Sequence, residues 1–208
     1  NDLLSENFPM IHTVGRASAS EPRLIELRYG TKGPKICLVG KGVCFDTGGL
    51  NLKPAGSIAG MKKDMGGAAN VLALTRMIME LKYPCKLHVL IPAVENSVSG
   101  NAFRPQDILI SRKGLSIEIN NTDAEGRLIM ADALTYAGED DPHLIVSVAT
   151  LTGAARVALG QDLAPFFAGT QKNAMALMAS SEAAKDPVWQ LPLWDPYEDL
   201  IEPGRADF

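Results

Sequence analysis

The 208-residue chain lacks an apolar run close to the roughly 20 residues that a membrane-spanning helix needs. It also lacks the opening of a secretory signal peptide, a basic segment followed by an apolar one. Basic residues are not in excess, since 20 Lys and Arg stand against 24 Asp and Glu and the net charge is −4. Proteins that bind nucleic acid backbones usually carry a basic excess. We therefore expect neither a membrane nor a nucleic acid partner.

Histidine and cysteine are scarce as well. The three histidines, His12, His88 and His143, are scattered along the chain. The three cysteines are an odd number without CxxC spacing, which argues against a disulfide framework and against a thiolate zinc cluster. Two of them lie in apolar, strand-like segments, where a buried reduced thiol is the simpler interpretation. This use of cysteine predicts a cytoplasmic protein.

What the chain does contain is an alternation of strand-like and helix-like segments. Short apolar runs predict strands, and apolar residues at helical spacing predict helices. The predicted strands cover residues 23–29, 35–40, 87–94, 115–120, 143–151 and 163–167. The predicted helices cover residues 64–81, 126–137 and 173–185, and a glycine-rich loop is expected at 42–60. This order predicts an α/β fold with a mixed, largely buried β-sheet flanked by helices on both faces.

The expected domain organisation is simple. Residues 1–22 are mixed and polar, and we interpret them as an N-terminal lead-in helix or linker segment. No internal linker, repeat or low-complexity tract stands out after them. We therefore expect residues 23–208 to form a single domain.

Three familiar catalytic or nucleotide-binding patterns are absent. Residues 56–60 do not have the spacing of a Gly-x-Ser-x-Gly nucleophile elbow. Gly40-Lys41-Gly42 lacks the spacing and the following Ser or Thr of a P-loop. The dinucleotide fingerprint also fails, because Phe45 stands where its third glycine belongs. A serine nucleophile and a phosphate-binding loop are therefore not predicted.

Four carboxylates lie instead in Gly-rich loops at predicted strand ends or helix starts. Asp46 follows a buried strand, Asp64 precedes a helix, and Asp123 and Glu125 lie between a strand and a helix. Ligands of α/β proteins collect at such positions, and residues i and i+2 of an extended loop point the same way. Converging carboxylates repel one another unless divalent cations compensate their charge. The pattern therefore indicates a metal site.

Two lysines, Lys41 and Lys53, flank Asp46. A cation beside metal-binding carboxylates can stabilise an oxyanion, which favours a metal-dependent reaction. Simpler interpretations remain open at this point. Asp64 can be a helix N-cap, and Asp46 can be an Asx-turn residue. Asp123 and Glu125 can be acidic residues of the ordinary kind found at a helix start. Both lysines can be solvated surface cations. Spacing alone does not decide between these readings.

Several long motifs occur in a fixed order along the chain. They are Val39-Gly40-Lys41-Gly42, Phe45-Asp46-Thr47-Gly48-Gly49, Leu52-Lys53-Pro54, Met61-Lys62, Asp64-Met65-Gly66-Gly67-Ala68-Ala69, Asn121-Thr122-Asp123-Ala124-Glu125-Gly126-Arg127-Leu128 and Ala149-Thr150-Leu151-Thr152-Gly153-Ala154. Pro92-Ala93, Glu95-Asn96, Arg104-Pro105 and Asp107 fit between them. Taken together, these motifs resemble the leucine aminopeptidase, or M17, family of metallopeptidases over nearly the whole chain.

The resemblance implies a leucyl-type metalloaminopeptidase that hydrolyses the N-terminal residue from peptides with a free N-terminus. Two divalent metals per subunit would activate the attacking water. They are usually zinc, with manganese or magnesium able to occupy at least one site, and bicarbonate is a further implied cofactor. The resemblance also implies a homo-hexamer, and a catalytic domain that is truncated at its C-terminus.

The resemblance assigns metal-binding roles to five residues. Asp46 and Glu125 would bridge the two ions. Lys41 and Asp64 would complete the tighter site, and Asp123 the more exchangeable one. Lys41 would bind as a neutral amine, which requires a strongly lowered pKa that the adjacent dication would cause.

Catalytic and substrate-binding roles follow in the same way. Lys53 would stabilise the tetrahedral oxyanion, and Arg127 would hold a bicarbonate that shuttles a proton. The resemblance places the implied substrate-binding residues at Met61, Thr150, Leu151 and Gly153.

Two other functions stay open. Another two-metal hydrolase, such as a phosphoesterase, could use the same carboxylates, since Lys53 and Arg127 also suit phosphate. Some bacterial members of the family double as DNA-binding proteins, although the net charge of −4 gives that role no support. An inactive relative is not expected, because the metal and catalytic positions are intact.

Overall fold

The computed structural model describes residues 2–201 and 203–208. Its strands are β1 (Arg23–Tyr29), β2 (Lys35–Gly40), β3 (Gly42–Asp46), β4 (Lys86–Asn96), β5 (Ile108–Ile110), β6 (Ser116–Glu118), β7 (Leu144–Val148), β8 (Ala164–Phe166) and β9 (Val188–Gln190). Its helices are α1 (Asp2–Ser5), α2 (Pro9–Gly15), α3 (Ala55–Ile58), α4 (Gly66–Glu80), α5 (Glu125–Glu139), α6 (Ala154–Leu159) and α7 (Gln171–Ala184), and 3-10 segments span Met61–Met65, Thr122–Ala124 and Asp195–Ile201. The chain divides into two compact units, residues 1–150 with 203–208, and residues 151–202.

The first unit is built around a mixed sheet. β1, β4, β2 and β7 lie side by side in that order, and β3 also pairs with β4. β1 runs antiparallel to β4. β2 and β3 each run parallel to β4, and β2 also runs parallel to β7. The parallel strands therefore end at one edge, where Asp46 lies opposite Asn96. This carboxyl edge carries the loops in which the candidate carboxylates lie.

Helices cover both faces of this sheet. α2 and α5 pack on one face, where Val39 and Ile129 belong to one buried core. α4 packs on the other face, where Val71 joins Leu38 and Val89 in a second core. Consecutive residues of β2 thus point into different cores, which explains why this strand is a continuous apolar run. The predicted α/β fold with a mixed sheet between helices is confirmed, with β2 and β4 as its buried centre.

The N-terminal segment packs into this unit as α1 and α2. Met10, Ile11 and Val14 are fully buried there. The Asp132 carboxylate of α5 accepts hydrogen bonds from the backbone N–H groups of Met10 and Ile11, at 2.8 and 3.4 Å, and so caps the first turn of α2. The polar residues after residue 15 end α2. Because they give the whole segment a mixed composition, the apolar face of α2 does not stand out in the sequence. Whether residues 23–208 fold as a domain without this segment stays a prediction.

Residues 42–46 form β3 where glycine predicts a loop. Gly42 lies so close to β4 that a Cβ atom would come within 2.7 Å of the Pro92 carbonyl oxygen. Glycine here permits a close approach of two strands and does not mark a turn. As a result Asp46 stands at the end of a hydrogen-bonded strand, and its position is fixed by the sheet.

The second unit contains α6, β8, α7, β9 and the segment Asp195–Ile201. β8 and β9 pair in parallel, with Pro165 opposite Trp189. The Thr170 hydroxyl caps α7 by accepting a hydrogen bond from the Asn173 backbone N–H at 3.3 Å. The strand and helix predicted in this stretch are both present. Across the whole described chain, no helix is at once long and apolar enough to cross a membrane.

Candidate metal centre

Four carboxylates are carried to the carboxyl edge of the sheet by four different elements. Asp46 ends β3, and Asp64 lies in the 3-10 segment that leads into α4. Asp123 lies in the 3-10 segment before α5, and Glu125 is the first residue of α5. Each predicted metal-binding carboxylate therefore stands at a strand end or helix start, as the sequence indicated.

Three of these carboxylates form a compact group. One oxygen each of Asp46, Asp123 and Glu125 lies within 4.8 Å of the others. Asp46 is 3% and Glu125 1% exposed, whereas Asp123 is half-buried. Asp64, 2% exposed, joins the group through a shared lysine partner.

That partner is Lys41, which lies between β2 and β3 and is buried. Its Nζ atom is 2.7 Å from Asp64 Oδ2 and 3.0 Å from Glu125 Oε1. It also donates a hydrogen bond to the Thr150 carbonyl oxygen at 3.3 Å. Gly126 makes room for this side chain, because a Cβ atom there would come within 2.7 Å of Lys41 Nζ. The glycine after Glu125 thus leaves space for a charged side chain.

Lys53 pairs with the other two carboxylates. Its Nζ atom is 3.0 Å from Asp46 Oδ2 and 2.5 Å from Asp123 Oδ1. The loop that carries it turns at Gly48 and Gly49, whose φ angles of 89° and 65° favour glycine. Both lysines therefore belong to the site, and the interpretation of them as solvated surface cations is wrong.

The geometry also decides the simpler readings of two aspartates. Asp64 is not the N-cap of α4, since Met65 takes that position without a side-chain cap hydrogen bond. Asp46 does form an Asx turn, in which its Oδ1 accepts a hydrogen bond from the Gly48 N–H at 2.9 Å. Its Oδ2 is the oxygen that faces Lys53. The turn therefore orients Asp46 in the site and is no alternative to a functional role.

We call the four carboxylates with Lys41 and Lys53 the carboxylate cluster. When all four carboxylates are ionised, four negative and two positive charges leave two negative charges uncompensated. Burial raises the pKa of Glu125 to about 7; the Lys41 charge opposes this shift and the Asp46 charge adds to it. Burial lowers the pKa of both lysines, but their carboxylate partners outweigh it, so the pKa of each is raised. The cluster thus holds its lysines as cations and still lacks positive charge.

The donor atoms fit divalent cations. Asp64 Oδ2, Asp123 Oδ1 and Glu125 Oε1 are buried, and each lies 2.5–3.0 Å from a lysine ammonium group. A carboxylate oxygen has more than one lone pair, so each of these oxygens can bind a further cation. Clustered carboxylate oxygens are the ligands that hard or borderline divalent ions prefer.

The remaining predicted site residues are placed as follows. Arg127 is exposed on the first turn of α5, and its guanidinium makes no ion pair with the residues that the structure describes. Met61 is half-buried and opens the segment that carries Asp64. Leu151 and Gly153 are exposed residues of the second unit. The roles predicted for these residues stay predictions.

The hydrogen bonds that several neutral groups make around the cluster were not predicted. Thr150, expected near the substrate, donates a hydrogen bond from its hydroxyl to Asp64 Oδ1 at 2.6 Å. The buried Thr122 hydroxyl donates to the Gly48 carbonyl at 2.7 Å and accepts from the Asn51 N–H at 2.8 Å, which joins two loops. Asn96 contacts two of the carboxylates. The sequence signal was their position inside the motifs that resemble the family.

Comparison with known proteins agrees with this geometry. The profile described as "Cytosol aminopeptidase family, catalytic domain" matches residues 1–208. A probable cytosol aminopeptidase from Roseiflexus castenholzii is 46% identical over 209 residues, which cover 99% of this chain and 43% of the relative. A probable cytosol aminopeptidase from Xanthomonas campestris is 48% identical over 197 residues, 94% of this chain and 40% of the relative.

A solved structure gives the same result. The crystal structure of the cytosol aminopeptidase from Coxiella burnetii matches with a TM-score of 0.96 and 50% sequence identity, covering 100% of this chain and 45% of that chain. The present chain therefore spans less than half the length of these relatives. Because the family profile matches along the entire chain and the fold agrees with that of a solved relative, this chain belongs to the cytosol aminopeptidase family.

Proposed function

We propose that this protein acts as a leucyl-type metalloaminopeptidase, which hydrolyses the N-terminal residue from peptides. The observation that carries the proposal is the convergence of Asp46, Asp123 and Glu125 within 4.8 Å, at a buried edge of the sheet. Membership of the cytosol aminopeptidase family supports it.

Five residues would hold two divalent ions. Asp46 and Glu125 would bridge them, Lys41 and Asp64 would complete one site, and Asp123 the other. Ions bound in this way lower the pKa of water and polarise a carbonyl group. Manganese and magnesium suit so oxygen-rich a site, and zinc also binds carboxylate oxygens. Because the carboxylates raise the pKa of Lys41 in the protein alone, its amine must release a proton to become a ligand.

Lys53 would act on the transition state. The hydrogen bonds to Asp123 and Asp46 outweigh the effect of burial and raise its pKa, so Lys53 stays an ammonium group. Its side chain is only 13% exposed, so the charge lies where water is largely excluded. It would donate hydrogen bonds to the oxygen that becomes negative when the peptide carbonyl is attacked.

Arg127 and four further residues complete the proposal. The Arg127 guanidinium, which makes no ion pair with other described residues, would hold bicarbonate as a proton shuttle. Substrate-binding roles are proposed for Met61, Thr150, Leu151 and Gly153. The hydrogen bond from Thr150 to Asp64 supports a position for Thr150 beside the metals.

The proposal extends to the whole protein. Its substrates would be peptides with a free N-terminus, and it would act as a homo-hexamer in the cytoplasm. Neither a membrane nor a nucleic acid is proposed as a partner, and the net charge of −4 supports the second point.

The test is an assay of the full-length protein on amino-acid amides and dipeptides, after chelation and after addition of Zn²⁺ or Mn²⁺. We expect activity to disappear with the chelator and to return with the metal. An N-acetylated dipeptide is the matched control and should not be cleaved, because its α-amino group is blocked. Metal-restored cleavage of phosphate monoesters alone would favour the phosphoesterase alternative and refute the aminopeptidase.

A further inference from the structure

Asn96 is a buried amide between the two carboxylates proposed to bridge the metals. It is the last residue of β4 and 1% exposed. Its Nδ2 atom donates hydrogen bonds to Asp46 Oδ1 at 2.9 Å and to the Thr122 carbonyl oxygen at 3.0 Å, and lies 3.4 Å from Glu125 Oε2. One neutral group thus contacts both carboxylates and the loop between β6 and α5.

These contacts distinguish the two oxygens of each carboxylate. Asp46 Oδ1 accepts hydrogen bonds from Asn96 and from the Gly48 N–H, whereas Asp46 Oδ2 faces Lys53. Glu125 Oε2 faces Asn96, whereas Glu125 Oε1 lies 3.0 Å from Lys41 Nζ. The amide therefore engages one oxygen of each carboxylate and leaves the other to a cation.

The orientation of the Asn96 amide follows from its surroundings. A flipped amide would place its oxygen against two carboxylate oxygens and a carbonyl, all of which are acceptors. Its Oδ1 instead lies on the side of Gly49, where a Cβ atom would come within 2.9 Å of it. The backbone of Asn96 is held as well, because its carbonyl accepts hydrogen bonds from Thr47 N–H at 3.0 Å and Thr47 Oγ1 at 2.7 Å.

We propose that Asn96 is a positioning residue of the metal centre, which sets the orientation of Asp46 and Glu125 without adding a charge. The proposal rests on the metal centre of the proposed function. Groups that orient metal ligands in this way typically change metal affinity by about 10–100-fold when they are removed.

The experiment titrates the protein with Mn²⁺ after a chelator has removed its metals, and calorimetry measures the binding. Asn96→Leu removes the donor at similar volume, and Asn96→Ala removes it without overpacking in case the leucine variant does not fold. Thr75→Val is the matched control, because it removes another buried side-chain hydrogen bond, from Thr75 Oγ1 to the Val71 carbonyl at 2.7 Å in α4. We expect both Asn96 variants to bind Mn²⁺ about 10–100-fold more weakly, and Thr75→Val to bind like the wild type.

The outcomes separate this inference from the proposed function. If the wild type binds two ions and the Asn96 variants bind them with unchanged affinity, while their Tm falls as in Thr75→Val, Asn96 has only a structural role and the metal centre stands. If the wild type binds no Mn²⁺ or Zn²⁺, the metal centre and the role of Asn96 are both refuted.

Discussion

Two groups of charged residues lie at opposite edges of the same sheet. The carboxylate cluster occupies the carboxyl edge, where β3 and β4 end. At the amino edge, a ring of close nitrogen–oxygen contacts joins Glu26 and Arg28 of β1, His88 of β4 and Asp140 after α5, with N–O distances of 2.8–3.3 Å. We call these four residues the amino-edge cluster.

The two clusters differ in burial and in charge compensation. Arg28 and Asp140 have side chains that are 55% and 47% exposed, whereas those of Lys41 and Glu125 are 3% and 1% exposed. Exposed ion pairs contribute about 0–1 kcal/mol to stability, because water screens them. Burying uncompensated charge is costly, and the carboxylate cluster has two such charges. The difference teaches that burial without compensation, and not the number of ion pairs, distinguishes the edge at which we propose the metal site.

The largest effect is expected from removing the central lysine. In the metal-free protein, Lys41→Met should lower the free energy of unfolding by about 3–5 kcal/mol, because Asp64 and Glu125 lose their buried cation. Arg28→Met also removes two ion pairs, but we expect it to cost no more than about 1 kcal/mol. Urea unfolding of both variants measures the two losses. Equal losses would contradict the comparison of the two edges.

The next effect concerns catalysis. Lys53→Ala should retain two bound metals yet lower kcat by about 10²–10³-fold, because one preorganised oxyanion contact is lost. KM should change less, since the contact is made only in the transition state. Lys35→Ala is the control, as the Lys35 ammonium donates to the Asp140 carbonyl at the amino edge. Near-normal kcat in Lys53→Ala with both metals bound would exclude the oxyanion role.

A third effect appears in the pH dependence of stability in the presence of chelator. The folded pKa of Glu125, about 7, lies above its ordinary value of 4.5. Its stabilising contribution is therefore complete below pH 4.5 and is lost as the pH rises through 7. We expect the wild type to lose on the order of 1–3 kcal/mol over this range through Glu125. Glu125→Gln should flatten the curve, and parallel curves for the two proteins would refute this assignment.

The smallest effect has the opposite sign and comes from the amino edge. The Arg28 hydrogen bond lowers the pKa of Asp140 below its ordinary value of 3.8. The resulting stability is present above that value and is lost as the pH falls through the folded pKa. Asp140→Asn should therefore cost less than about 1 kcal/mol near neutral pH. The difference from wild type should vanish in strong acid, and urea unfolding between about pH 2 and 6 measures it.

The parts of the fold that could be predicted are those in which packing repeats a simple pattern. β2 and β4 are apolar runs because both of their faces are covered, and α4 and α5 show helical spacing. β3 could not be predicted, since Gly42 serves a close strand contact that only the folded neighbour reveals. The packing of α2 into the first unit could not be predicted, because the residue that caps it, Asp132, lies far away in the sequence.

The candidate site divides in the same way. Its charged residues could be predicted, because acidic residues in Gly-rich loops and the family motifs both point to them. The neutral groups could not, since Asn96, Thr122 and Thr150 acquire their roles only when loops from different elements meet. The packing of Lys41 against Gly126 could not be predicted either, because the two residues are far apart in the sequence and meet only in the fold.

β2 and β3 both pair with β4, and this arrangement limits where the chain can change in length. Lys41 is the single residue between two strands that share the register of β4. Because side chains alternate along a strand, one inserted residue in β2 would turn the residues after it toward the opposite face. The exposed α3, between Lys53 and Met61, carries no such constraint. Insertions for labelling or evolution should therefore be accepted within residues 55–58 and rejected within residues 35–46.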